Sequence, residues 1–176
     1  MRIISGSCGG RTITPPKNLR ARPTTDFAKE NLFNVLGNMV DFEELEVLDL
    51  FAGTGSISYE FASRGAASVT SVEINAIHHN FIRTTAQGFG LKNIHPVKAN
   101  VFLYLKSCAK QFDIIFSDAP YDLEGSEQVV DMVFENNLLR EGGIFIFEHS
   151  KAQDFSQHPR FSKLKSYGSV QFSIFE

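Results

Sequence analysis

Tryptophan is absent from the 176-residue sequence, cysteine occurs twice, and no long hydrophobic stretch is present. Cys8 and Cys108 alone can form neither a disulfide framework nor a zinc cluster, which indicates a reducing, cytoplasmic environment. Apolar runs such as residues 144–147 are too short to cross a bilayer. Ser5 and Gly6 interrupt the start before a signal-peptide core could form, so we expect no signal peptide. These absences exclude membrane, secreted disulfide-rich and zinc-finger proteins.

Charge is unevenly distributed along a chain whose net charge is −3. Residues 1–25 carry five basic and no acidic side chains, whereas residues 26–150 carry a net charge of −10. We therefore predict a basic arm over residues 1–25 and one acidic domain over residues 26–176. Such an arm can bind phosphates, although a solvated terminus without a role has the same composition. The candidate phosphate contacts are Arg2, Arg11, Lys17, Arg20 and Arg22.

Helix and strand patterns alternate after the arm. Within the arm, residues 3–4 and 11–13 could pair as a short hairpin around the glycine-rich residues 6–10. Apolar residues at helical spacing, such as Ile77, Phe81, Ile82 and Phe89 on one side of a helix, and short apolar runs then predict an alternating series. The predicted helices are 26–38, 55–63, 75–89, 101–108 and 127–136, and the predicted strands are 46–51, 68–73, 94–98, 112–117, 143–148, 161–166 and 169–175.

This alternation predicts an α/β fold with a mostly parallel sheet, since crossover helices connect parallel strands. The nearly continuous apolar strands agree, because helices would cover both faces of the sheet. The last two strands should form an antiparallel hairpin at the edge. Ligands of such sheets bind at the carboxyl ends of the strands, so residues that follow each strand are the candidate site.

The first two strands end in residues typical of a nucleoside site. Gly53 and Gly55 allow a ligand to approach the backbone before a helix begins, and Glu73 can accept hydrogen bonds from both hydroxyls of a ribose. A ligand-free turn and an exposed acid remain alternatives. The third glycine of the dinucleotide fingerprint is replaced by Ser58, and no phosphate-binding Gly-Lys-Ser/Thr follows, which disfavours an NAD-dependent dehydrogenase.

The fourth strand ends in Asp118-Ala119-Pro120-Tyr121. The carboxylate and the Ala119 carbonyl can accept the two N–H groups of a planar amine, and Tyr121 can stack on its ring. Pro120 has no N–H and restricts the backbone of this loop. The four residues therefore predict a site for an amino-bearing ring, with an ordinary turn as the alternative.

Three further polar features have weaker interpretations. Asn100 could bond an adenine edge or cap the following helix. His78 and His79 are expected to face solvent rather than to bind a metal, and we predict no metal site. His149 follows the fifth predicted strand and could approach the substrate, although a packing role is favoured.

Taken together, the motifs resemble class I S-adenosylmethionine-dependent methyltransferases, and more closely the bacterial small-subunit rRNA guanine-N2-methyltransferase family (RsmD-like). The resemblance covers essentially the whole chain. Its most specific piece is Arg22-Pro23-Thr24-Thr25-Asp26 followed by residues 31–36. Other matching pieces are Arg2-Ile3-Ile4, Gly6, Gly10-Arg11, residues 49–55, Ser63-Arg64-Gly65-Ala66 and Glu148-His149-Ser150.

The resemblance implies a Rossmann-like methyltransferase domain that acts as a monomer on one guanine of 16S rRNA, within a small ribosomal subunit or an assembly intermediate. It departs from the family pattern at Ala119, where a proline is usual, and at Asn100, where an acid is frequent. Catalysis would rest on residues 118–121. The implied S-adenosylmethionine contacts are Asp49, Phe51, Ala52, Gly53, Gly55, Glu73, Ile74, Asn100 and Val101.

Other functions remain open at this point. The motif at residues 118–121 also serves adenine-N6 and protein-glutamine methyltransferases, although the chain lacks a separate recognition domain. A module that binds S-adenosylmethionine or a nucleotide without catalysis is the non-enzymatic alternative.

Overall fold

A computed structural model describes residues 1–19 and 24–176. Its strands form one seven-stranded sheet with the order β3-β2-β1-β4-β5-β7-β6. Strands β1 to β5 are parallel, and β7 runs antiparallel to both β5 and β6. This architecture confirms the predicted fold class. The strands are β1 Glu46–Leu50, β2 Ser68–Glu73, β3 Ile94–Lys98, β4 Phe112–Ser117, β5 Leu139–His149, β6 Phe161–Tyr167 and β7 Val170–Phe175.

Five helices cover the sheet, and polar side chains begin several of them. Thr25 accepts a hydrogen bond from the Ala28 N–H at the start of α1, and Asn75 accepts from the Ile77 N–H at the start of α3. These caps satisfy N–H groups that have no partner within the helix. The helices are α1 Asp26–Gly37, α2 Ser56–Ser63, α3 Ala76–Phe89, α4 Val101–Ser107 and α5 Gln128–Glu135.

The core has one hydrophobic cluster on each face of the sheet. Val47 and Ile114 pack with α1, α2 and α3, while their chain neighbours Leu48 and Ile115 pack with α4 and α5. Successive side chains of a strand point to opposite faces, so strands covered on both sides must be apolar at nearly every position. This explains why the central strands read as continuous apolar runs.

Two predicted details are wrong. β5 begins at Leu139 rather than at residue 143, because Gly142 and Gly143 form an irregularity inside the strand instead of a turn before it. Ile77, expected on the buried side of its helix, is 55% exposed, whereas Ile82 and Ala86 are buried. The first turn of α3 follows the carboxyl end of β2, and Ala76 and Ile77 in this turn are both exposed.

The N-terminal hairpin packs on the domain instead of extending away from it. Its strand pairing is a single bridge between Arg2 and Thr12, supported by the Ile3 N–H bonded to the Arg11 carbonyl at 3.0 Å. Buried side chains from the hairpin, including Ile3, join the cluster formed with α1, α2 and α3. Gly6 adopts a φ of 86°, and a Cβ there would lie 1.8 Å from the Ser63 carbonyl oxygen. Only glycine fits this close approach.

A buried glutamate fastens this hairpin to α2. The Glu60 carboxylate accepts hydrogen bonds from the N–H groups of Ile4 at 2.8 Å and Ser5 at 3.1 Å, and from Arg64 Nε at 2.8 Å. Lys29 of α1 places its Nζ 3.8 Å from Glu60 Oε2. We name Glu60, Lys29, Arg64 and the two backbone N–H groups the N-terminal junction. It connects three segments that are distant in sequence.

Lys29 is the second buried charge of the junction. Its side chain is 1% exposed, and Nζ donates to the Arg2 carbonyl at 2.5 Å and to Ser56 Oγ at 3.1 Å. Burial lowers the pKa of Lys29, while the charge of Glu60 opposes that effect. A cation with so little water around it depends on these acceptors.

None of the helices formed by the described residues combines the length and the apolar character needed to cross a membrane.

Candidate active site

A cavity of about 530 Å³ opens at the carboxyl ends of β1, β2, β4 and β5. Its volume lies within the range that small-molecule sites usually have. Ligand-binding residues were predicted at this edge of the sheet, and most of them line this cavity. They are Asp49, Phe51, Ala52, Gly53, Glu73, Ile74, Asp118, Ala119, Pro120 and Tyr121. The roles of these residues remain predictions.

The loop after β1 reverses direction through left-handed backbone conformations. Phe51, Gly53 and Gly55 have φ values of 57°, 56° and 84°. Gly53 lines the cavity, but Gly55 does not, because it begins α2 and faces Tyr59. A Cβ at Gly55 would lie 2.8 Å from Tyr59 Cζ, so this glycine serves the turn and its packing.

Glu73 is held at the mouth of this loop by backbone hydrogen bonds. Its Oε2 accepts the Gly53 N–H at 2.8 Å, and its Oε1 accepts the Asn75 N–H at 2.7 Å. These bonds join the loop after β1 to the start of α3 and fix the direction of the carboxylate. Each carboxylate oxygen can accept a second hydrogen bond, so the group keeps capacity for a ligand.

Asp49 forms the floor beneath the same loop. Ser58 Oγ donates to Asp49 Oδ2 at 2.5 Å and lies 2.6 Å from Ser71 Oγ. Burial raises the pKa of Asp49 to about 7, with a smaller contribution from the nearby charge of Glu73. Ser58 stands where the dinucleotide-binding fingerprint has its third glycine. Its hydroxyl orients the carboxylate of Asp49, which lines the cavity.

The residues after β4 form the opposite wall. Ala119 is buried, while Pro120 is exposed and Tyr121 is 50% exposed. The Pro120 carbonyl accepts the Leu123 N–H at 2.9 Å, which closes the turn. A carboxylate, a buried backbone segment and an accessible ring therefore share one wall, as a site for a planar amine requires.

Several lining residues escaped the sequence analysis as site residues. Glu148, at the end of β5, is 4% exposed and accepts a hydrogen bond from Thr24 Oγ1 at 2.8 Å. His78, predicted to face solvent, is half-buried and lines the open cavity. Thr24 and Glu148 belonged to motifs of the family resemblance, which was the signal that could have identified them. Phe116 and Val170 also line the cavity.

His149, by contrast, confirms the packing interpretation. It is buried, and its Nε2 lies 2.7 Å from Ser173 Oγ. Its ring is 5.0 Å from the ring of Phe155. Burial lowers the pKa of His149.

Other candidates lie outside the cavity lining. Asn100 caps α4 by accepting the Leu103 N–H at 3.2 Å, and Val101 is buried with α4 and α5. Asn100 was predicted either to contact an adenine or to cap the following helix, and the structure shows the cap. Three basic candidates of the arm, Arg2, Arg11 and Lys17, are exposed, and Arg20 and Arg22 lie outside the described residues.

The cavity lining is acidic. Among the lining residues that the structure describes, five are aspartate or glutamate and none is lysine or arginine. Such a lining favours a cationic or hydrogen-bond-donating ligand and disfavours a polyphosphate. Within residues 1–19 and 24–176, no three histidine, cysteine, aspartate or glutamate side chains converge as metal ligands would.

Comparison with known proteins places this chain in a family. The family described as "Conserved hypothetical protein 95" matches residues 1–176. The ribosomal RNA small subunit methyltransferase D of Buchnera aphidicola (subsp. Baizongia pistaciae) is 31% identical over 84% of this chain and 75% of its own length. The protein of the same name from Haemophilus influenzae is 30% identical over 100% of this chain and 93% of its own length.

A solved structure from Escherichia coli, named as a proposed methyltransferase, yhhF, is 26% identical and superposes with a TM-score of 0.85. That superposition covers 99% of this chain and 96% of the other. These matches confirm the resemblance predicted from the sequence. The chain therefore belongs to the Conserved hypothetical protein 95 family, together with the ribosomal RNA small subunit methyltransferase D proteins that it matches.

Proposed function

We propose that this chain transfers a methyl group from S-adenosylmethionine to the exocyclic N2 of a guanine in small-subunit rRNA. The observation that carries the proposal is the shared cavity, which joins the Gly53 loop and Glu73 to the wall formed by residues 118–121. Donor and acceptor must meet in one space for a direct transfer. The names of the relatives support a small-subunit rRNA as the substrate.

The lining suits the proposed cofactor. S-adenosylmethionine supplies an electrophilic methyl group on a positively charged sulfur and carries no phosphate. Glu73, aimed by the Gly53 and Asn75 N–H groups, accepts the ribose hydroxyls. Ile74 is 60% exposed beside it and provides an apolar surface for the adenine. The acidic lining is compatible with a cation and unfavourable for the pyrophosphate of NAD.

The wall formed by residues 118–121 binds and orients the guanine amine that accepts the methyl group. The nitrogen lone pair of the guanine amine is delocalised into the ring, which makes it a poor nucleophile. Asp118 and the Ala119 carbonyl accept its two N–H groups and hold the nitrogen in a reactive orientation, while Tyr121 stacks on the ring. The carbonyl at position 119 does not require a proline there. Transfer would break the bond between the positively charged sulfur and the methyl group, leave the neutral thioether S-adenosylhomocysteine, and form the N–CH3 bond, while Asp118 receives the proton that the amine loses.

RNA binding is assigned to the arm of residues 1–25. Arg2, Arg11 and Lys17 are exposed on or after the hairpin and contact phosphates, together with Arg20 and Arg22. The target guanine lies in a loop or leaves its helix, because a stacked base cannot enter such a cavity. The methyltransferase domain of residues 26–176 acts as a monomer in the cytoplasm, on a small subunit or an assembly intermediate.

Calorimetry and labelled methyl transfer test the proposal. Purified protein is titrated with S-adenosylmethionine and with NAD, and then incubated with labelled S-adenosylmethionine and small ribosomal subunits from a strain lacking this gene. Nucleoside analysis of the digested rRNA should recover N2-methylguanosine, and mapping should locate one position. Tighter binding of NAD would overturn the cofactor assignment.

Two variants separate the halves of the cavity. Asp118→Asn should lower the methyl-transfer rate about 10²- to 10³-fold and leave the affinity for S-adenosylmethionine nearly unchanged. Glu73→Gln should weaken cofactor binding about tenfold or more, because it loses a charged acceptor. Full activity of Asp118→Asn would contradict the proposed site. Label in methyladenosine or in protein would favour the alternative acceptors, and cofactor binding without any transfer would favour a non-catalytic module.

A further inference from the structure

Glu148 is a buried cavity carboxylate to which the proposed reaction gives no role. It follows Phe147, which pairs in register with Ser117 of the neighbouring parallel strand β4. The next residues of the two strands are Glu148 and Asp118, and both line the cavity. Adjacent strands are about 4.8 Å apart. The fold thus sets two carboxylates side by side on one wall.

Thr24 sets the orientation of this carboxylate. Its hydroxyl donates to Glu148 Oε2 at 2.8 Å within the buried region, and Thr25, the next residue, begins α1. A carboxylate offers about four acceptor positions, so Glu148 can bind Thr24 and also accept a hydrogen bond from a ligand that enters the cavity. Glu148 is therefore held in place by an element that is itself anchored by its helix cap.

Guanine presents the pattern that two adjacent carboxylates can bind. Its Watson–Crick edge carries the N2 amine next to the N1–H, so two donors stand side by side. In adenine and cytosine the ring nitrogen beside the amine is an acceptor, which a carboxylate repels. Resting on the proposed function, we infer that Glu148 accepts the N1–H of the target guanine while Asp118 and Ala119 bind its amine. Glu148 is then the residue that selects guanine.

A base analogue makes this inference testable. 2-Aminopurine carries the same amine as guanine but has an acceptor at N1. Small subunits are reconstituted with rRNA that bears guanine or 2-aminopurine at the position mapped above. The wild-type protein should methylate the guanine-bearing subunit at least about 100-fold more efficiently, because a buried carboxylate would otherwise face a lone pair.

Glu148→Gln keeps the shape of the side chain and can turn an N–H2 toward an acceptor. We expect its kcat/KM for guanine to fall about 10- to 100-fold and its preference for guanine over 2-aminopurine to fall below about tenfold. Thr24→Val keeps its shape but loses the hydroxyl, and it should reduce the preference by a smaller factor. Glu141→Gln, on an exposed part of the same strand, is the matched control and should behave as the wild type.

The outcomes are distinguishable. If Glu148→Gln and Thr24→Val both retain the wild-type rate and preference, the inference is overturned. It is also overturned if Glu148→Gln loses affinity for S-adenosylmethionine in proportion to its rate, since the residue then serves the cofactor. If Glu148→Gln does not fold, an unchanged preference in Thr24→Val decides against the inference. A wild-type protein that methylates no guanine in subunits would instead refute the proposed function itself.

Discussion

Buried carboxylates occupy two regions on the same face of the sheet, and their surroundings differ. In the N-terminal junction, Glu60 accepts hydrogen bonds from Ile4, Ser5 and Arg64, all within the chain. In the cavity, Glu73 accepts the N–H groups of Gly53 and Asn75, Glu148 accepts the Thr24 hydroxyl, and both carboxylates also border open volume. Burial alone therefore does not identify a functional acid. The space beside a carboxylate distinguishes a structural acid from one that can bind a ligand.

The junction also changes the view of the basic arm. The hairpin contributes Ile3 and Ile13 to the core and supplies the backbone donors that satisfy Glu60. Removal of the arm would therefore destabilise the domain as well as remove its charges. Any test of RNA binding must alter the exposed charges and leave the junction intact.

The largest effect should follow from breaking the junction. Glu60→Ala leaves the Lys29 ammonium buried without its buried acid, and we expect a loss of about 3–5 kcal/mol in the free energy of unfolding. Urea titration monitored by circular dichroism measures this loss. Binding of S-adenosylmethionine to the folded fraction should stay near the wild-type value, because Glu60 does not line the cavity.

Glu30→Ala, at an exposed position of α1, is the control for the junction and should change stability little. Should Glu60→Ala prevent folding altogether, the isosteric Glu60→Gln provides a graded version with a smaller loss. A stability of Glu60→Ala equal to that of the control would remove the structural role assigned to the junction.

Asp49 lies between the two regions, because it is as buried as Glu60 and yet lines the cavity. Its pKa is raised to about 7 in the folded protein from an ordinary value of 3.8. The folded state therefore holds a proton that the unfolded state has released. The resulting stabilisation is complete below pH 3.8 and is lost as the pH rises through about 7.

Asp49→Asn removes this titration, so the difference between the two proteins isolates it. From about pH 4 to pH 8, the wild type should lose about 2–4 kcal/mol of unfolding free energy relative to Asp49→Asn. Urea titrations of both proteins across this range measure the change. Asp41→Asn, at an exposed position, should show no such relative loss. A constant difference between wild type and Asp49→Asn would contradict the raised pKa.

The smallest effect concerns charges outside both regions. Arg11→Gln combined with Lys17→Gln removes two exposed cations. The Arg11 guanidinium lies 5.0 Å from the centre of the Phe89 ring, so stability should fall by only about 0.5–1 kcal/mol. Affinity for small subunits should fall about tenfold at low salt, and the slope of log affinity against log salt should become shallower by about 1.4. Filter binding at several salt concentrations measures both quantities. Lys92→Gln, an exposed change in the acidic domain, is the control, and an equal effect there would leave the arm without a specific role.

Much of the fold was predictable because its signals are local. The bounds of β2, β3 and β4 agree with the prediction to the residue. β4 is a nearly continuous apolar run, and the helix caps Asn75 and Asn100 follow shortly after β2 and β3. Gly142 and Gly143 misled the prediction for β5, because glycine marks an irregularity within a strand as readily as a turn. Lys29 had a weak signal, as it precedes Phe33 and Leu36 by four and seven positions, on the buried side of a helix.

The site was predictable in part for the same reason. Gly53, Glu73 and Asp118 each follow a recognisable strand, and parallel strands deliver their carboxyl ends to one edge. The hydrogen bond between Thr24 and Glu148 spans 124 positions, and no local pattern connects those two residues. For Asn100 the sequence left two interpretations open, and the contact with Leu103 identifies the helix cap.

The sequence by itself determined the order of helices and strands and the residues that follow each strand, because burial imposes a period on neighbouring side chains. Only the tertiary structure decided that β7 lies between β5 and β6, that Lys29 meets Glu60, and that Thr24 reaches Glu148. Those pairings depend on how whole elements pack against one another. A residue far along the chain contributes nothing to the local pattern from which such an element is recognised.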